Sequence, residues 1–163
     1  MYQDTFPVAE KLKHLVFDWT GLSVVEIGCN TGQLGDYVLK QGAASYRGSD
    51  MNAEWLGEGQ RRYPHLNLTV GRAQDADLRA DVLVALGVFH HMSDFDVIGV
   101  LAGTTARVLL IEQPMRAEPF QGYKMRPKDW YKANVAAVGF TSVKEFKYGF
   151  TYPVPRSILL VAR

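Results

Sequence analysis

The chain has 163 residues, 47% hydrophobic and 21% charged, with a formal net charge of +1. That mixture fits one soluble globular domain and excludes a disordered chain, and no apolar run approaches the ~20 residues that a bilayer-crossing helix needs. The balanced charge gives no basic face for tracking nucleic-acid phosphates, and the single cysteine, Cys29, excludes an internal disulfide and a multi-cysteine metal site.

Met1 to Glu10 carries Asp4 and Glu10 and lacks a basic start followed by an apolar stretch, so no signal peptide is expected. With a lone thiol this points to a reducing, cytoplasmic setting. Leu22–Ile27 is a β-branched run that ends at a glycine-rich turn. Gln33–Gln41 reads as the helix after it, stopped by Gly42. Ser45–Asp50 is a second strand, Ala53–Arg62 a helix stopped by Pro64, and Leu66–Val70 a third strand of alternating pattern. Asp81–Leu86 and Arg107–Glu112 are near-continuous apolar runs, with a crossover helix expected over Phe95–Ala106. Pro127–Val138 follows as a helix whose proline sits at a tolerated first position. Phe140–Lys147 and Ser157–Ala162 close the chain as strands.

Alternating strands and helices predict a three-layer α-β-α sandwich around a mostly parallel, Rossmann-like sheet of seven strands. Buried parallel strands account for the unbroken apolar runs. Ligands of such sheets bind beyond the carboxyl ends of the strands, so the informative residues are those just after each strand. After the first come Glu26-Ile27-Gly28-Cys29-Asn30-Thr31-Gly32. Gly28 and Gly32 let the backbone turn sharply and approach a ligand. Asp50 ends the second strand, eighteen residues beyond Gly32, and an acid near that spacing commonly accepts from ribose hydroxyls. The third loop is Gly71-Arg72-Ala73-Gln74-Asp75 and the fourth Gly87-Val88-Phe89-His90-His91. A nicotinamide fingerprint fails on spacing: read from Gly28, Asn30 takes the second glycine position and Gln33 the third.

These residues resemble the class I S-adenosylmethionine-dependent methyltransferases. The first motif of that family is an acid followed by Gly-x-Gly-x-Gly, and here it reads E-I-G-C-N-T-G with Asn30 at the central glycine. The likeness continues through Asp50-Met51 and the VFHHM after the fourth strand, and extends from about Leu22 to Arg163. It implies a single methyltransferase domain over 1–163, whose last two strands form an antiparallel hairpin at the sheet edge. It implies S-adenosylmethionine as methyl donor and S-adenosylhomocysteine as product, held by Glu26, Gly28, Cys29, Asn30, Gly32, Asp50, Met51 and Gly87. Relatives often read Gly-Asp-Ala in the third loop, where this chain has Arg72. Adenine recognition would then fall to Ala73 and Gln74, with Asp75 the nearest acid.

Methyl transfer from a sulfonium is an in-line displacement that needs alignment and exclusion of water. A base is required only where the acceptor must lose a proton, and His90 or His91 is the candidate. The alternative for the pair is structural, one ring packed beneath the sheet edge and the other facing solvent. Residues 113–130 form a candidate acceptor-side insertion in which Tyr123, Arg126 and Trp130, with Phe120 and Tyr131, could wall a pocket and Arg126 meet an anion. Residues 1–20, with Tyr2 and Phe6, could close over the cofactor as an N-terminal lid. The expected acceptor is a small molecule. An RNA or protein acceptor is the alternative, as is a non-catalytic scaffold subunit. A homodimer or partner subunit is compatible with the short N-terminus, whereas no metal, membrane or nucleic-acid partner is expected.

Overall fold

A computed structural model describes residues 11–12, 15–114, 122–148 and 156–163. The strands are β1 (Ser23–Ile27), β2 (Ser45–Asp50), β3 (Asn67–Val70), β4 (Val82–Leu86), β5 (Val108–Pro114), β6 (Ser142–Tyr148) and β7 (Arg156–Ala162). They form one sheet in the order β3-β2-β1-β4-β5-β7-β6. The first five are parallel, and β7 inserts antiparallel between β5 and β6. This is the expected seven-stranded sheet with its C-terminal antiparallel hairpin. Order reverses between β1 and β4, which makes their carboxyl ends the topological switch point.

Among the described residues four helices connect the strands: α1 (Gln33–Lys40), α2 (Ala53–Arg62), α3 (Asp94–Gly103) and α4 (Lys128–Ala137). Side chains of successive strand residues serve opposite layers. Val25, Ile27, Leu83, Ala85, Leu109 and Ile111 pack with Val97, Leu101, Tyr131 and Val135 of α3 and α4. Val24, Val82, Val84 and Leu110 pack on the other face with Leu34 and Val38 of α1, and with Leu12 near the beginning of the chain. By the same alternation, Glu26 lies on this second, buried face.

Local chemistry accounts for the boundaries. Asn52 caps α2 through its side chain, which accepts from the amides of Glu54 and Trp55. Ser93 caps α3 in the same way, so α3 starts one residue earlier than the apolar pattern predicts. It also stops three residues earlier. The Thr104 hydroxyl accepts from the Ala106 amide at 3.1 Å and donates to the Leu78 carbonyl at 3.0 Å, turning the chain before β5. The short turns Ala73–Asp75 and Phe89–His91 are 3₁₀ helices that the sequence pattern missed. β3 is an edge strand with Asn67, Thr69 and Val70 exposed. Among the described residues no helix is long and apolar enough to cross a membrane.

Candidate functional site

The turn after β1 holds three left-handed residues, Gly28 (φ 66°), Asn30 (φ 53°) and Gly32 (φ 79°). Asparagine is among the few side-chain-bearing residues that adopt this conformation readily. A Cβ on Gly28 would fall 2.1 Å from Val88 Cγ2, so the turn lies directly against the loop after β4. The Asn30 amide donates to Asp50 Oδ2 at 2.9 Å, and the Asn52 amide donates to Asp50 Oδ1 at 2.9 Å. Asp50 therefore ties the β1 turn to the entrance of α2 while each of its oxygens keeps a lone pair. Beside it, Asn30 Oδ1 and Ser49 Oγ are buried without a hydrogen-bond partner among the described residues.

Cys29 takes part in the turn through its backbone, its amide donating to the Ser49 carbonyl at 3.0 Å. Its side chain turns inward against Gly48 and Tyr46. Burial, reinforced by the nearby carboxylates of Glu26 and Asp50, pushes its thiol pKa up, which leaves it unreactive. The sequence expectation that Cys29 contacts the cofactor is thus limited to its main chain.

Glu26 is buried, and the Tyr46 hydroxyl donates to its Oε2 at 2.5 Å. Burial pushes the Glu26 carboxyl up to about 8, against the downward pull of Tyr46 and of the Lys11 charge. Two strands away Glu112, equally buried, lies opposite Leu86 near the carboxyl end of the sheet. Lys11 Nζ donates to Glu112 Oε2 at 3.1 Å. The beginning of the described chain is thereby pinned over the ends of β4 and β5. Neither Lys11 nor Glu112 was singled out from sequence, because nothing in the pattern reveals that residue 11 returns to the sheet.

In the third loop the Gly71 amide donates to the Asp50 carbonyl at 2.9 Å, bringing Ala73–Asp75 beside the second strand end. With its amide oxygen turned toward the guanidinium, Gln74 accepts from Arg72 Nε at 3.0 Å. The Gln74 side chain is therefore partly committed, and Asp75 is exposed. Met51 and Val70, at neighbouring strand ends, are 70% and 58% exposed and offer an apolar surface beside that loop. Val70 was missed in the sequence, where it reads as an ordinary strand residue.

After β4, Gly87 is again left-handed (φ 71°). The Phe89–His91 turn divides the histidine pair: His90 is 2% exposed and His91 faces solvent. Tyr123 joins them, its ring 4.4 Å from that of His90 and 4.9 Å from that of His91, while the two imidazoles lie 4.1 Å apart. The Lys124 amide donates to the His90 carbonyl at 2.7 Å and fixes this approach.

Arg126 departs from its expected role. Its Nε donates to Asp94 Oδ1 at 2.8 Å, and its two terminal nitrogens donate to the carbonyls of Phe89 and Met92, each at 2.7 Å. The guanidinium is buried and lies 4.8 Å over the Trp130 ring. It clamps the histidine turn, and its donors face carbonyls and Asp94 instead of a bound anion. Trp130 supports that clamp from beneath. Tyr2, Phe6 and Phe120 lie outside the described residues, as does most of the expected lid. Among the described residues no group of three or more histidine, cysteine or acidic side chains could hold a metal.

The profile of a methyltransferase domain family matches residues 25–109, which span β1 to β5 and all four strand-end loops. No curated protein matches in sequence. Among solved structures the chain is similar to a SAM-dependent methyltransferase from Archaeoglobus fulgidus, with a TM-score of 0.78 at 12% identity over 96% of this chain and 93% of that one. It is similar to magnesium protoporphyrin IX methyltransferase from Synechocystis PCC 6803 with bound SAM (TM-score 0.75, 16% identity, 90% and 72% covered). A Mesorhizobium loti S-adenosylmethionine-dependent methyltransferase gives a TM-score of 0.74 at 14% identity over 98% and 99% of the two chains.

Proposed function

We infer the function from one premise: this chain belongs to the class I S-adenosylmethionine-dependent methyltransferase family. It is an enzyme of that class, with S-adenosylmethionine as methyl donor. The finer reading is that it methylates a small-molecule acceptor in the cytoplasm. The observation that carries the donor site is the bridge from Asn30 N–H to Asp50 Oδ2 and from Asp50 Oδ1 to Asn52 N–H.

The residues fit the donor. Gly28 and Gly32 let the turn pack without a Cβ against Val88 and against Leu66 and Leu68, and no phosphate has to be accommodated by Asn30. Asp50 has lone pairs for ribose hydroxyls, Met51 and Val70 offer an apolar seat for a flat base, and the Glu26 carboxyl offers an acceptor to an ammonium. When bound, S-adenosylmethionine supplies an activated methyl on a sulfonium. The chain's part is to orient that group and exclude water from its path. His91 is exposed beside Tyr123 and can take a proton from an acceptor hydroxyl or amine, whereas buried His90 supports the ring cluster. A near-neutral charge and this aromatic rim favour a small, partly apolar acceptor. A porphyrin is the acceptor named for one of the similar structures.

Calorimetry with S-adenosylhomocysteine tests the donor site. Wild-type protein should bind at micromolar affinity, and Asp50→Ala should abolish the heat. A folded wild type that binds neither donor nor product would refute the reading. For the acceptor, turnover is expected within a panel of small hydroxyl, carboxyl and amine compounds. His91→Ala should leave product affinity intact, lower kcat about 100-fold and remove the acidic limb of the pH profile. Turnover confined to RNA, with steep salt dependence, would replace the small-molecule reading.

A further inference from the structure

Helix α3 is apolar on both of its faces. Val97, Val100 and Leu101 are buried against the sheet. The opposite stripe holds Phe95, Ile98, Gly99 and Ala102, spaced at i, i+3, i+4 and i+7, and all four are exposed. Phe95 is 85% exposed and Ile98 41%. A surface helix ordinarily presents polar and charged residues on that side, and one that is apolar all round is ordinarily buried. The opposite helical layer obeys this rule. The outer face of α2 holds Glu54, Gln60, Arg61 and Arg62, and Arg62 Nε donates to Glu58 Oε1 at 2.8 Å. Beside α3, the outward residues of α4 include Ala133, Ala136 and Ala137, which widen the apolar face.

We propose that this face is a homodimer interface, in which the α3 helices of two copies pack antiparallel across a two-fold axis near Ile98 and Gly99. The stripe is complementary to itself. Phe95 projects near one end, while Gly99, Ala102 and Gly103 leave a hollow toward the other. A Cβ placed on Gly99 meets no described atom within 4 Å. Antiparallel pairing sets Phe95 of each copy into the Ala102–Gly103 hollow of the other, and such small residues let helix axes approach to about 8 Å. The charges agree with the same register. Asp94, whose side chain is 62% exposed, opens α3. Arg163 stands at the far end, its guanidinium donating to the Thr104 carbonyl at 3.4 Å. In the antiparallel pair Asp94 of one copy meets Arg163 of the other, twice by symmetry. A parallel pair would set acid against acid. The ten residues of α3 span only about 15 Å. Even with the α4 alanines the contact is at the small end of specific interfaces, and a dimer of micromolar affinity is expected.

Sedimentation velocity of the full chain over a concentration series tests the interface. Wild type should pass from monomer to dimer over roughly 1–100 μM. Phe95→Lys should raise the dimer Kd at least about 100-fold. Because Phe95 is exposed in the single chain, the Tm measured well below the wild-type Kd should not move. Arg163→Glu should weaken the dimer about tenfold by setting like charges together. Gly99→Cys reads the register: mild oxidation should give a disulfide-linked dimer, whereas Gln60→Cys on the outer face of α2 should stay monomeric under the same treatment. A wild type that remains monomeric through the whole range would leave the face to a different partner and overturn the proposal. So would a dimer that Phe95→Lys leaves intact, since another surface would then hold it.

Discussion

At the β1–β2 end of the sheet's carboxyl edge, backbone does most of the work: Gly28, Asn30 and Gly32 in left-handed conformations, with main-chain amides of Asn30 and Asn52 gathered on Asp50. At the β4–β5 end, side chains do it: Arg126 grips two carbonyls and Asp94, Tyr123 lies against both imidazoles, and Lys11 reaches Glu112. The first kind of site tolerates few residues at fixed spacings. The second can be reached from distant points of the chain by long side chains, at separations no local pattern reveals. A donor common to a whole family fits the first kind, and an acceptor that varies among members fits the second.

Removing Arg126 breaks the second half most severely. Arg126→Met leaves the Met92 carbonyl without its donor and the Phe89 carbonyl with the Met92 amide alone, and loses the stacking on Trp130. The expected destabilisation is about 2–4 kcal/mol, from one unsatisfied acceptor at about 1–3 kcal/mol, one weakened hydrogen bond and lost packing. Thermal unfolding should show it as a large fall in Tm. Were Arg126 an acceptor-binding residue, the acceptor KM would rise with Tm unchanged.

Gly28→Val strikes the first half. The left-handed φ of 66° costs a branched residue about 1–2 kcal/mol, and the new Cβ collides with Val88 Cγ2 at 2.1 Å. A loss of about 2–3 kcal/mol in stability is expected once the displaced Val88 loop is included. Calorimetry should also show S-adenosylhomocysteine affinity reduced at least 100-fold, about 2.7 kcal/mol. A variant that unfolds earlier but binds normally would uncouple the turn from the donor site and erase the contrast between the two halves.

The same contrast governs how much was legible in the sequence. Strand and helix positions were readable because buried parallel strands demand unbroken apolar runs such as Asp81–Leu86, and Ala53–Arg62 appears within its observed limits. The E-I-G-C-N-T-G turn and Asp50 were readable because left-handed backbone and a strand-end acid restrict residue type. Arg126 was misread because an arginine amid aromatics has the same composition whether it faces a ligand or its own backbone. The histidine pair could be named but not divided, since only the 3₁₀ turn decides which ring is buried. Lys11 and Tyr46 acquire meaning only once the fold brings them to Glu112 and Glu26.

A substitution with almost no effect at pH 5 sharpens the comparison at its midpoint, on Glu26. The folded-state pKa is raised to about 8 from an ordinary 4.5, chiefly by burial. Between those values the folded chain holds a proton that the unfolded chain has released. This contribution to stability is complete below pH 4.5 and declines as pH rises toward 8. Glu26→Gln keeps a neutral, isosteric acceptor for the Tyr46 hydroxyl, so at pH 5 the variant should unfold within a degree or two of wild type. As pH is raised to 8 the wild type should lose Tm relative to the variant, whose profile is flatter over that interval. Parallel profiles at every pH would mean that Glu26 is ionised throughout. The burial that separates it from Asp50, whose carboxylate is met by two backbone amides, would then have to be offset by charge from Lys11.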